Sequence, residues 1–163
     1  MIELGEFAPD RSDFDPSATS VLSNFVPRQG GWGPFQQFVP LSDPLPARPQ
    51  GSFLANLNQG DYLVIAATAT GLYRLTSGSM GWTDISKSGT TYATPPDRLW
   101  SFAQYGSLVL ATNGVDPIQS YDTAVPDKFV DLSANAPRAL NVDVLGDFIF
   151  ATNTSDGENA ARW

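Results

Sequence analysis

The chain has 163 residues, of which 42% are apolar, 12% aromatic and only 16% charged, a composition that excludes wholesale disorder and suits one folded domain. It contains no Cys and no His, which excludes disulfide scaffolds, thiolate nucleophiles, histidine–metal sites and every His-based catalytic dyad or triad. The formal net charge of −8 argues against a specific nucleic-acid reader, because such proteins gain affinity by releasing counterions from phosphate with cationic side chains.

Met1-Ile2-Glu3-Leu4-Gly5-Glu6 offers neither a basic n-region nor an apolar h-region, so synthesis in the cytoplasm is expected. No apolar run approaches the length of a membrane span, so no membrane insertion is expected of this chain. Residues 1–50 hold more than half of the thirteen prolines and a cluster of acids, Glu3, Glu6, Asp10, Asp13 and Asp15. Proline removes backbone donors and biases the preceding residue toward extended conformations, so 1–50 is expected to be an extended arm. Residues 17–24 leave room for one or two helical turns. Six aromatics here, among them Phe7, Trp32 and Phe35, are too many for a free linker. Trp32 and Phe35 are the candidate subunit contact.

From Gly51 onward an internal repeat appears. Three strand-like segments, 61–68, 107–113 and 147–153, each follow a glycine: Gly60, Gly106 and Gly146, 46 and then 40 residues apart. Their Ala-Thr pairs, Ala67-Thr68, Ala111-Thr112 and Ala151-Thr152, are 44 and then 40 apart. An alternating segment precedes each glycine (52–57, 99–105 and 139–145). A third strand follows at 71–75 and 117–121, and a fourth carries aromatic-x-Asp-aliphatic-Ser at 82–86 and 129–133. Four short strands in meander order over about 40–45 residues is the size of a propeller blade. A β-sandwich also spaces strands this way, but recurrence of the same positions in the same order favours blades. The fold class expected is therefore all-β: antiparallel four-stranded blade-like repeats forming a partial β-propeller, with units at 51–96, 97–137 and an incomplete 138–163, preceded by the arm. Ala67 and Ala111 are expected at matching places. A propeller closes with at least about four blades, so additional sequence or partner chains are expected to cover the open edges.

No catalytic constellation emerges. Asp84 and Asp131 occupy equivalent repeat positions; paired carboxylates can serve acid–base chemistry, but repetition favours capping of turns. Residues 10–15 lack the glycine and terminal Glu of a calcium loop. Residues 29–33 lack the Lys-Ser/Thr of a phosphate loop. Asn153-Thr154-Ser155 is a formal glycosylation sequon. No catalytic, cofactor-binding or metal residues are assigned, and a non-enzymatic protein is expected. The aromatics Trp32, Tyr73, Tyr92 and Trp100 have the chemistry to stack on sugars, though core positions are expected for most of them.

The arm segments Asn24-Phe25-Val26-Pro27-Arg28, Gly33-Pro34-Phe35 and 45–51 resemble the N-terminus of bacteriophage tail proteins, as do 71–75, 82–86 and 100–106 after them. The set is similar to the tail nozzle (tail tubular protein B) or hub group of short-tailed phages, over nearly the whole chain. That resemblance implies a virion tail component that forms a homo-oligomeric ring, contacts other tail or adaptor proteins, and lets DNA pass without sequence-specific binding. A carbohydrate- or receptor-binding propeller-like module is the alternative.

Overall fold

The computed structural model describes residues 6–12, 14, 17–19, 21–28, 31–36, 38–57, 60–155 and 161–162. These residues form an all-β structure with no α-helix. Two compact units divide at Pro40 and Leu41.

In the first unit, β1 (Glu6–Phe7) pairs in parallel with β2 (Ala18–Thr19), and β3 (Phe25–Arg28) pairs antiparallel with β4 (Gly31–Pro34). The described residues of 17–24 form no helical turn. Thr19 is spent on the β1 pairing, and Asn24 takes a positive φ of 61°, a left-handed conformation that Asn tolerates better than most residues and that no helix continues through. The Asn24 carbonyl instead accepts from the Phe35 N–H at 2.7 Å, extending the hairpin. Pro27 and Pro34 are accommodated because each strand has only one neighbour, so a missing N–H need break no ladder.

The second unit contains three antiparallel meanders. Sheet I is β5 (Pro49–Asn56), β6 (Tyr62–Thr68), β7 (Leu72–Thr76) and β8 (Gly81–Asp84); sheet II is β9 (Ser101–Tyr105), β10 (Leu108–Thr112), β11 (Gln119–Asp122) and β12 (Val130–Asp131). Sheet III is β13 (Ala139–Leu145), β14 (Phe148–Thr154) and β15 (Ala161–Arg162). Every strand pairs with its sequence neighbour, and the described sheets close into neither a barrel nor a ring. Residues 41–48 belong with sheet I: Asp43 N–H donates to the Met80 carbonyl at 3.0 Å, and Trp82 Nε1 donates to the Asp43 carbonyl at 2.9 Å.

The repeat glycines are turn residues. Gly106 and Gly146 open two-residue hairpin loops with φ near 60°, a backbone state that carries no penalty without a Cβ and matches the right-handed twist of the strands.

Sheet I packs on sheet II through Ile65, Ala67, Leu72 and Ile85 on one side and Val109, Ala111, Tyr121 and Phe129 on the other. The opposite face of sheet II, with Ala103, Leu110 and Ile118, packs on Ala139, Val142 and Ala151 of sheet III. Strand β10 is thus buried on both faces, which is why Val109-Leu110-Ala111 reads as a continuous apolar run rather than an alternation. Ala67 and Ala111 are not at matching places. Ala67 pairs with Leu72, whereas Ala111 pairs with Gln119, one residue past Ile118, the partner that would correspond to Leu72. A one-residue offset turns a side chain to the opposite face, so Ala67 looks toward sheet II while Ala111 looks back at sheet I. The counterpart of Ala111 in sheet I is Ala66, paired with Tyr73.

Candidate functional site

Polar side chains gather where the last strands of sheets I and II meet. Aromatic-x-Asp-aliphatic-Ser places Ile85 and Leu132 equivalently: Ile85 N–H donates to the Leu72 carbonyl and Leu132 N–H to that of Ile118, both at 2.9 Å. The aspartates diverge. Asp84 Oδ1 accepts from the Ser86 N–H at 2.7 Å, a local cap, and Ser86 Oγ accepts from the Leu72 N–H at 2.9 Å. Asp131 instead receives Lys87 Nζ on Oδ2 at 2.5 Å and Gln119 Nε2 on Oδ1 at 2.6 Å. Ser133, the counterpart of Ser86, is exposed. The difference follows from the neighbouring sheet: Lys87, just past sheet I, reaches Asp131, and among the described residues no cation pairs with Asp84.

The Lys87 ammonium, and after it the Gln119 amide, hold the Asp131 carboxyl below its usual 3.8. Tyr92, 1% exposed, extends the network: its hydroxyl accepts from the Lys87 N–H at 3.1 Å and donates to Gln119 Oε1 at 3.3 Å. Burial pushes the Tyr92 phenol up to about 12, against the opposing effect of the Lys87 N–H. Both Asp131 oxygens are occupied by donors, Lys87 is matched by a carboxylate, and Tyr92 stays protonated at neutral pH. Chemically this is a latch that joins two sheets.

Turn caps repeat beside it. Thr68 Oγ1 accepts from the Thr70 and Gly71 N–H groups, and Asn113 Oδ1 from those of Val115 and Asp116. Thr68 and Asn113 are counterparts once the one-residue offset is applied, so the same connection is capped in both sheets by different side chains.

Among the aromatics with stacking chemistry, Tyr92 and Trp100 are interior and meet edge to face at 5.0 Å, with Trp100 Nε1 donating to the Thr68 carbonyl at 2.9 Å. Tyr73 is partly buried beside Gly71. Trp32 lies edge-on to Phe7 at 6.1 Å, and Phe35, half exposed, lies against Phe38 at 5.2 Å. Asp13, Asp15, Gln29 and Gly30, which belong to the calcium-loop and phosphate-loop comparisons, lie outside the described residues. Asn153 of the sequon is exposed with φ 52°. Sequence reasoning missed Lys87 and Gln119; the available signal was that Gln119 is a polar residue at a strand position beside the core residue Ile118.

No protein-family model matches the chain, and no curated protein matches it either.

Proposed function

We propose that the chain is a non-enzymatic structural component of a phage tail, of the nozzle or hub type, whose blade-like sheets assemble into an oligomeric ring around a DNA passage. The observation that carries this reading is the face of sheet I turned away from sheet II. Strand alternation places Leu54, Val64, Ala66, Leu75 and Trp82 there. The corresponding face of sheet II carries Val109, Ala111, Tyr121 and Phe129, all buried against sheet I. On this face of sheet I Leu54 is 54% exposed, Val64, Leu75 and Trp82 are partly buried and Ala66 is buried, and among the described residues of 41–163 no further sheet packs on it. At the other end of the stack, Leu145 and Phe148 form an exposed cross-strand pair, 71% and 57% accessible. Apolar faces of this kind favour association.

The first strands support the blade reading. The main approaches between successive sheets run through β9 against β13 and β5 against β9, the convergence expected where blades fan from an axis. The half-exposed Phe35, with Trp32, supports a contact between subunits, and other tail or adaptor proteins are the expected further partners. Net negative charge suits a passage that repels phosphate and leaves the duplex free to slide. The alternative, a carbohydrate- or receptor-binding module, loses Tyr92 and Trp100 as stacking platforms because both are interior.

Light scattering of the purified full-length gene product at several concentrations, with imaging of virions, tests the proposal. A ring-forming subunit located in the tail is expected. A stable monomer absent from particles overturns it.

A further inference from the structure

At one end of sheet I, Leu57 and Asp61, the start of β6 and the end of β7 line an open groove of about 450 Å³. Arg74 and Leu63 line it from the face that looks toward sheet II. Arg74 is partly buried, and among the described residues its guanidinium makes no hydrogen bond or ion pair, in a chain where acids outnumber bases 17 to 9. Asp61 lines the same groove, and among the described residues its carboxylate has no ion pair either, so the two opposite charges stand apart rather than neutralising each other. Leu57 adds apolar surface, Tyr62 is 62% exposed, and Ser77 is an exposed hydroxyl-bearing residue.

We propose that this groove binds a carboxylate-bearing sugar, a hexuronate unit of an acidic glycan, with its carboxylate on Arg74 and its hydroxyls donated to Asp61. A guanidinium without a partner is matched best by a carboxylate, which accepts two parallel N–H bonds. Asp61, ionised, only accepts, and so asks for a donor on the ligand. A sugar acid carries both groups on one ring, and that ring presents an apolar C–H face to the exposed Tyr62 and the leucines. A peptide C-terminus supplies the carboxylate but no array of hydroxyls. This inference is independent of the ring-forming role, since the groove lies within one sheet.

The test is titration of the ¹⁵N-labelled chain with a short oligogalacturonate, its neutral galactose counterpart, and a peptide ending in a free carboxylate. The acidic sugar is expected to shift resonances of 57, 61–63 and 74–77 saturably below about 10 mM, and the neutral sugar to leave them in place. Arg74→Gln weakens binding about tenfold or more, as loss of a bidentate charge-assisted pair requires. Tyr62→Ala, at an exposed position, weakens it several-fold and serves where the Arg74 change disturbs folding. Equal binding of the neutral sugar, preference for the peptide, full affinity in both variants, or no saturable shift each overturns the assignment.

Discussion

The side-chain amide of Gln104 stands opposite Asn56 as a strand residue would, its Nε2 donating to the Asn56 carbonyl at 2.8 Å while its Oε1 accepts from the Asn56 N–H at 2.9 Å. Ser101, on the same strand, does likewise toward sheet III, its hydroxyl accepting from the Val142 N–H at 3.2 Å and bonding its carbonyl at 3.3 Å. Strand β9 is therefore tied to both neighbouring first strands through side chains, at points where the backbones themselves do not ladder. Gln104→Ala leaves both Asn56 groups to water, since the site is exposed, and is expected to cost about 1 kcal/mol. Gln104→Glu, which sets a carboxylate oxygen against the Asn56 and Gly106 carbonyls that Nε2 serves, should cost at least as much. Urea midpoints at unchanged slope measure both.

The latch at Asp131 sets an acid-side dependence. Its folded pKa lies below the ordinary 3.8, so the unfolded chain binds this proton more readily. The stabilisation is complete above that value and disappears as pH falls through the lowered folded pKa. Both partners are about one-third exposed, which limits the contribution to under about 1 kcal/mol in solvent-screened surroundings. Asp131→Asn should therefore be less stable than the parent at neutral pH, with the gap closing in strong acid; a pH series of urea midpoints reads it.

Tyr121 is 1% exposed, and its hydroxyl has no hydrogen-bond partner among the described residues. A buried hydroxyl without a partner loses its water without recompense, so Tyr121→Phe is expected to be neutral or to stabilise by up to about 1 kcal/mol. The ring, 5.3 Å from Phe129, keeps its packing. Thermal unfolding of the variant checks this, and a drop of several degrees would contradict it.

Gly114 has φ +77°, and a Cβ there would meet Leu140 Cδ2 at 2.5 Å and Arg98 Nη1 at 3.0 Å. Gly114→Ala combines left-handed strain with displacement of a side chain from β13. A loss of about 1–3 kcal/mol is expected, measurable as a lowered urea midpoint.

Much of the strand order could be read from the chain because each meander is local. Gly60, Gly106 and Gly146 mark the turns, and the segments between them pair in sequence order. The register could not be read as closely. Ala67-Thr68 and Ala111-Thr112 look alike as dipeptides but face opposite ways, because the β6–β7 and β10–β11 connections differ in length and a dipeptide does not record which face it serves. The hairpin at 25–34 was hidden by Pro27 and Pro34, which weaken any strand pattern. The latch was hidden for another reason: Lys87 and Asp131 are 44 residues apart, and only the packing of two sheets brings them together. Periodicity shows that Arg74 sits on a strand, not that it lacks a counter-charge.

The strictly neighbour-to-neighbour pairing within 41–163 bears on how the chain is made. Among the described residues every strand of sheets I to III pairs only with its sequence neighbours, so each hairpin has short loops to close and little entropy to overcome before its contacts form. Sheet I can form on the ribosome before sheet II has been synthesised, and sheet II then finds a finished surface to settle on. Vectorial growth of this kind keeps the interval during which an apolar face stands uncovered to about the time needed to translate one further meander.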